Sequence, residues 1–201
     1  ALDGVVDVAV VGGGVVGTAV FRLLAEHDLS VVLLESRPDV GAGTSKANTA
    51  ILHTGFDATP GSLESRLVAR GWQLLRDYAP GAGIAVEETG ALLVAWDDEQ
   101  AATLPKLAAK AVDNGYVHAQ VLDAARVREL EPHLGPGVTG GMLVPDEHIV
   151  DPWAPPLAFT LDALANGARV LTGFDVLRVK AGADATELHA RDGRAVTARF
   201  V

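Results

Sequence analysis

The 201-residue chain contains no cysteine. That absence excludes disulfides, thiolate metal sites, iron–sulfur ligation and a redox dithiol, so electron chemistry has to come from a bound cofactor. No metal ligand set is read from the other residue types. Also lacking is any run approaching the roughly 20 uninterrupted apolar residues of a membrane helix. The longest apolar stretch, residues 5–20, is broken by Asp7 and by glycines, and no basic residues precede it as in a signal peptide. Basic residues are scarce and unclustered: 16 Lys and Arg stand against 26 Asp and Glu, a formal net charge of −10. Such a surface repels nucleic acid and anionic lipid. The expectation is a cytoplasmic protein with no integral membrane segment and no nucleic-acid partner. There is no internal repeat and no low-complexity linker.

Residues 7–11 form a short β-branched apolar run, the profile of a buried parallel strand. Gly12-Gly13-Gly14 turns the chain, residues 15–27 read as a helix, and a second apolar run at 31–34 ends on Glu35. This is one βαβ unit. Residues 36–60 are then rich in Gly, Ser, Thr, Asn and Pro, with no immediate second βα repeat. Thr59-Pro60 is the expected start of a helix, with Pro where it loses no hydrogen bond, and Leu63, Leu67, Leu74, Leu75 and Tyr78 form an apolar stripe. A strand is expected at 91–96, and a helix capped by Asp97 and Gln100 that contains Pro105. A short helix at 123–130 and a strand at 140–144 follow. Asp151-Pro152 reads as a further cap and first-turn Pro, opening a helix through Asn166. Strands at 169–172, 176–179, 186–190 and 195–201 complete the pattern.

The glycine turn carries the first chemical signal. It follows a strand, opens a helix, and has an acid at the end of the next strand. Gly12 and Glu35 are 23 positions apart (35 − 12), close to the roughly 20 of a dinucleotide fingerprint. Gly12 permits the tight turn, Gly14 a close approach to a pyrophosphate, and Gly17 close packing of helix on strand. The helix N-terminus, at Val15 and Val16, offers N–H groups and a positive dipole end to the diphosphate. Glu35 can accept hydrogen bonds from an adenosine ribose, and its charge disfavours a 2′-phosphate. A tight turn without ligand is the bland alternative. The turn does not by itself separate NAD from FAD.

The segment after Glu35 does. Thr44-Ser45, Asn48-Thr49, His53-Thr54-Gly55 and Pro60-Gly61-Ser62-Leu63, with Val144-Pro145 and Ile149-Val150-Asp151-Pro152 later, resemble the D-amino-acid-oxidase-like FAD oxidoreductases. The similarity is strongest to the branch of FAD-dependent glycerol-3-phosphate and L-2-hydroxyglutarate dehydrogenases, and covers nearly the whole chain, the middle least. The resemblance implies an α/β fold: a Rossmann-like FAD-binding domain (GR2-type) at residues 1–80 and 145–201, with an inserted mixed α+β substrate lobe at 81–144 and its C-terminal part absent. It implies FAD as cofactor. Thr44 and Ser45 would lie near the diphosphate, Ser36 and Arg37 near the adenosine, and Asn48, Thr49, Ala50, Ile51 and Leu52 beside the isoalloxazine ring. Val176 would offer backbone groups to adenine.

By the same resemblance His53 lies close to the flavin and is the base candidate for oxidising a C–H bond next to oxygen, with hydride passing to flavin N5. The same residues also fit an ordinary loop with a satisfied buried histidine. His27, His118, His133, His148 and His189 are expected at the surface. An anionic substrate calls for a local cation, for which Lys46, Arg66 and Arg70 are the nearest candidates. Family segments that touch FAD again lie beyond Val201, so the chain is expected to be a fragment or one piece of a split enzyme, completed by a C-terminal half or second chain. Three readings stay open: a flavoenzyme acting on glycerol-3-phosphate, a 2-hydroxy acid or an amino acid; a non-catalytic dinucleotide-binding subunit; and an NAD-dependent dehydrogenase, disfavoured by the missing βα repeat.

Overall fold

The computed structural model describes residues 4–201. Its first strand, β1 (Val5–Val11), leads through the glycine turn into helix α1 (Val15–Ala25) and then into strand β2 (Val31–Leu34). All four β2 residues are buried, as a parallel strand covered on both faces requires. Their alternation divides the core in two. Val32 and Leu34 pack with Val6, Phe174, Leu188 and Val196 on one side. Val31 and Leu33 pack with Phe21, Ala25 and Ala163 on the other.

Phe21 and Ala163 belong to α1 and to α5 (Ala154–Ala165), and the Arg22 guanidinium on α1 pairs with the Asp162 carboxylate on α5 at 2.9 Å. After α5 come β9 (Arg169–Leu171), β10 (Val176–Ala181), β11 (Thr186–Ala190) and β12 (Ala195–Phe200). These strands join β1 and β2 in a six-stranded sheet of order β10-β11-β12-β1-β2-β9. The β12, β1, β2 and β9 neighbours are parallel, while β10, β11 and β12 form an antiparallel meander. This is the α/β fold expected from the sequence, and it makes up one compact unit, residues 4–49 with Asp151–Val201.

The second unit is the continuous stretch Ala50–Val150. Its strands β3 (Ile51–Leu52) and β4 (Val86–Glu87) flank β8 (His148–Val150) in one antiparallel sheet. Strands β5 (Ala91–Ala95) and β6 (Gln120–Asp123) flank β7 (Gly140–Val144) in another. Helices α2 (Leu63–Tyr78), α3 (Asp98–Asp113) and α4 (Ala124–Leu130) complete it. Helix α4 comes close to β7 because Gly141 has no side chain: a Cβ there would sit 2.8 Å from Val127 Cγ2 and 2.6 Å from the Leu93 carbonyl oxygen.

The units meet the chain at 49/50 and 150/151, not at the 80/81 and 144/145 boundaries expected. The β3–β8 and β4–β8 pairings and the bond from Trp72 Nε1 on α2 to the Asp146 carbonyl, 3.1 Å, hold residues 50–80 and 145–150 in the second unit.

Two helix starts also move. Ser62, not Thr59, caps α2, its hydroxyl accepting from Ser65 N–H at 3.1 Å. Thr59-Pro60-Gly61 forms a preceding turn in which Gly61 has φ +75° and Ser62 N–H donates to the Thr59 carbonyl. Trp153 stands at the cap of α5, while Asp151 caps a turn by accepting from Trp153 N–H at 3.0 Å. Helix α3 is capped by Asp97 as expected and runs through Pro105.

Candidate functional site

The glycine turn is built around Glu35. Gly12 has φ +103°, a left-handed conformation that only glycine adopts without strain, and its N–H donates to the Leu34 carbonyl at 2.8 Å. The chain thereby doubles back beside the end of β2. Glu35, 8% exposed, accepts from Gly13 N–H at 2.5 Å through Oε2 and from Arg37 N–H at 2.7 Å through Oε1. The Ser36 hydroxyl adds a bond at 3.2 Å. A carboxylate offers about four acceptor positions, so one remains for a ribose hydroxyl.

Gly13 was not singled out by sequence. A Cβ on it would lie 2.9 Å from Glu35 Oε2 and 3.2 Å from Glu35 Cβ, so the middle glycine of the triple makes room for the acid.

At Gly17 a Cβ would overlap the Gly12 carbonyl oxygen, whereas Val10 Cγ1 on the strand is 3.7 Å away. The tight approach is therefore of helix on turn, more than of helix on strand. Gly14 stands at the N-cap of α1 and provides no side-chain cap. Ser45 reaches across instead, its Oγ accepting from Val15 N–H at 2.9 Å, and a Cβ on Gly14 would come within 3.2 Å of that oxygen. Val15 and Val16 are exposed. Gly12, Gly14, Val15, Val16, Gly17, Glu35 and Ser45 thus do converge on one end of the sheet.

The remaining first-unit candidates are less tightly placed. Thr44 and Ser45 lie in a 3₁₀ turn, Thr44–Lys46. Asn48 Nδ2 donates to the Ser45 carbonyl at 2.5 Å, and Thr49 is exposed. Arg37 is exposed, its carbonyl accepting from Gly173 N–H at 2.9 Å. Lys46 Nζ rests 5.4 Å above the Trp153 ring. Val176 opens β10, the edge strand of the sheet, where it pairs with Ala190.

In the second unit Ala50 has φ +61°, the one non-glycine in the left-handed region among the described residues. Its carbonyl accepts from Val150 N–H at 2.8 Å. Strand β3 then pairs Ile51 with Ile149 and Leu52 with His148; Ile51 is exposed and Leu52 buried.

His53 follows, its side chain 39% exposed. It stacks on Phe56, with ring centroids 5.6 Å apart. Its Nδ1 accepts from Gly55 N–H at 2.8 Å and lies 3.6 Å from Glu147 Oε1, while Nε2 lies 3.5 Å from Asp57 Oδ1. Glu147, 3% exposed, accepts from Thr54 N–H at 2.6 Å and from Thr54 Oγ1 at 2.7 Å. Asn114 at the end of α3 donates to the Phe56 and Ala58 carbonyls at 3.1 and 2.7 Å. The His53 loop is thus fastened from both sides. Arg66 and Arg70 lie exposed on α2.

The turn joining β7 to β8 has its own anchor. Asp146 Oδ2 accepts from Tyr116 Oη at 2.9 Å and lies 2.6 Å from His118 Nδ1. Burial works to raise the Asp146 carboxyl, but the bonds from His118 and Tyr116 outweigh it and hold the group below its ordinary value. Burial, with Asp146 alongside, pushes the Tyr116 phenol well above its usual range.

One histidine departs from expectation: His148 is buried at 5% exposure in β8, with its Nδ1 unpartnered. Glu147 and Asp57 were not anticipated either, and nothing local in the sequence marks an acid in a three-residue turn as the partner of a loop 93 positions away.

Residues 7–201 match the FAD dependent oxidoreductase family, DAO. The chain belongs to that family. Over 174 residues it is 32% identical to the glycerol 3-phosphate dehydrogenase of Caloramator mitchellensis, covering 87% of this chain and 36% of that protein. It is likewise 32% identical over 174 residues to human mitochondrial L-2-hydroxyglutarate dehydrogenase, covering 85% of this chain and 37% of that protein. Among solved structures, dithionite-reduced L-α-glycerophosphate oxidase from Mycoplasma pneumoniae with FAD bound superposes with a TM-score of 0.88 at 25% identity, covering 98% of this chain and 52% of that one. Glycine oxidase from Geobacillus kaustophilus superposes at 0.81, also at 25% identity, covering 96% of this chain and 53% of that one. The chain therefore spans between about a third and a half of the length of these relatives.

The first unit fits the family's cofactor. A helix start whose N-cap glycine brings no side chain of its own, a glycine cradle in which a Cβ at position 14 or 17 would intrude, and an acid at the end of β2 suit a dinucleotide diphosphate and ribose. No helix among the described residues is long and apolar enough to cross a membrane.

Proposed function

We propose that the protein carrying this chain is an FAD-dependent dehydrogenase or oxidase of a small anionic hydroxy compound, such as glycerol-3-phosphate or a 2-hydroxy acid. The observation that carries the reading is the matching identity, 32%, to a glycerol 3-phosphate dehydrogenase and to an L-2-hydroxyglutarate dehydrogenase. FAD supplies the hydride acceptor when bound. Gly12, Gly14 and Gly17 would let the diphosphate approach the backbone, and Val15 and Val16 would face it with the positive end of α1. Thr44 and Ser45 would supply hydroxyls beside it, and Glu35 would take a ribose hydroxyl. Ser36 and Arg37 are the proposed adenosine neighbours, with Val176 offering its backbone to the adenine edge. Asn48 and Thr49, and in the second unit Ala50, Ile51 and Leu52, are the proposed neighbours of the flavin ring. His53 would accept the proton of the substrate hydroxyl, and Lys46, Arg66 and Arg70 are the proposed sources of positive charge for an anionic substrate.

Anaerobic mixing of the intact protein with glycerol-3-phosphate and with L-2-hydroxyglutarate tests this reading. Bleaching of the flavin band by one of them is expected. A second reading, oxidation of an amine, rests on the likeness to glycine oxidase; bleaching by glycine and by neither hydroxy compound would replace the first reading with it. No bleaching by any of the three would leave a non-catalytic dinucleotide-binding role.

A further inference from the structure

His53 is contested at Nδ1. Gly55 N–H donates to that nitrogen at 2.8 Å, which makes it an acceptor and leaves the proton of the neutral ring on Nε2. A ring in that tautomer has no free lone pair on Nε2 and takes no proton there. Glu147 Oε1 lies 3.6 Å from the same Nδ1. It belongs to a buried carboxylate that Thr54 fixes through two bonds, 2.6 and 2.7 Å.

Resting on the reading of His53 as proton acceptor, we propose that Glu147 is its positioning residue: the carboxylate draws the ring proton to Nδ1 and so leaves Nε2 as the nitrogen that accepts. The two tautomers then differ by one exchange of partners. In one, Gly55 N–H binds Nδ1. In the other, the ring turns from its place 3.6 Å from Glu147 Oε1 so that Nδ1–H binds Oε2 at about 2.8 Å, the length of a charge-assisted bond. Charge-assisted bonds are roughly twice as strong as neutral ones, which favours the second state once the ring moves. Gly55 is buried, so the loss of its N–H bond to Nδ1 is a cost that the charge-assisted bond has to exceed. Both Thr54 bonds fall on Oε1 and fill the two acceptor positions of that oxygen, so the capacity left for Nδ1–H is on Oε2 of the same carboxylate. Asp57, 3.5 Å from Nε2, is the other charged group beside the ring and draws the proton the opposite way, but its side chain is 51% exposed against 4% for Glu147, so solvent and salt screen it more. Lys110 Nζ holds the backbone of Asp57 by donating to its carbonyl at 2.5 Å.

The test compares wild type with Glu147→Gln, which keeps a carbonyl acceptor for Thr54 and removes the charge. In the intact protein labelled with ¹⁵N-histidine, the neutral His53 ring is expected to show a substantial Nδ1–H population that collapses to Nε2–H in the variant. The rate of substrate-driven flavin reduction is expected to fall roughly tenfold or more with KM little changed. Glu147→Asp keeps the charge but shortens its reach, and is expected to shift the tautomer the same way; it decides the matter if the amide variant does not fold. Identical tautomer populations in wild type and variants would overturn the assignment. His53→Gln separates it from the reading beneath. Wild-type reduction in that variant would remove His53 as base; loss of reduction there, with Glu147→Gln unchanged in tautomer and rate, would remove Glu147 alone.

Discussion

Gly17 shows how one missing methyl group sets the approach of a helix to a turn. Its Cβ would run into the Gly12 carbonyl, a backbone atom that cannot rotate away. Gly17→Ala is therefore expected to push α1 off the turn and destabilise the first unit by about 1–3 kcal/mol, with a matching loss of FAD affinity. Urea unfolding followed by a flavin titration checks both, and an unaltered midpoint would contradict the overlap. That Gly12, Gly14, Gly17 and Glu35 share one turn is legible from spacing alone, because the turn is local and its geometry fixed. The contacts of Gly13 and Glu147 are not. Gly13 matters through contact with a residue 22 positions on, and Glu147 through one 93 positions back, and no sequence period encodes either pairing.

Among the elements, the β7–β8 turn is the one with an electrostatic signature. Asp146 is held below its ordinary carboxyl value by His118 and Tyr116 against the effect of burial. A group depressed in the folded state contributes stability that is whole above its unfolded value, about 3.9, and that is lost as pH falls through the folded value. The second unit is thus expected to lose stability below about pH 4, and Asp146→Asn to flatten that acid slope while weakening the unit at neutral pH. Denaturant midpoints at pH 7 and pH 3 for both proteins are the measurement; parallel losses in the two would rule Asp146 out as the source.

The long elements of this scaffold were visible from composition: β1, α1, β2, α3 and β7 carry clear apolar runs or caps. The strands β3, β4 and β8, of two or three residues each, are too short to show an alternation. Their existence, and with it the burial of His148, follows only from pairing. Pro60 and Pro152 misled in the same way, since proline opens turns as readily as helices.

At the level of the whole molecule, the proposed diphosphate, ribose and adenine contacts lie in the first unit, which closes its own sheet and its two cores. The chain is expected to perturb the visible spectrum of added FAD on binding, and to leave NAD unbound. Equilibrium dialysis reads both ligands, since NAD has no visible band; equal retention of the two, or of neither, would overturn the assignment of FAD.

That first unit is discontinuous. Strand β1 pairs on one side with β2 but on the other with β12, Val5 standing opposite Thr197, while Ala50–Val150 is uninterrupted. On a ribosome adding about 5–20 residues per second, β1 emerges roughly 10–40 seconds before its β12 neighbour. The stretch written in the middle is thus the first that can finish folding. Until β12 emerges, β1 presents an unpaired edge on that side, a template for pairing with another chain during synthesis.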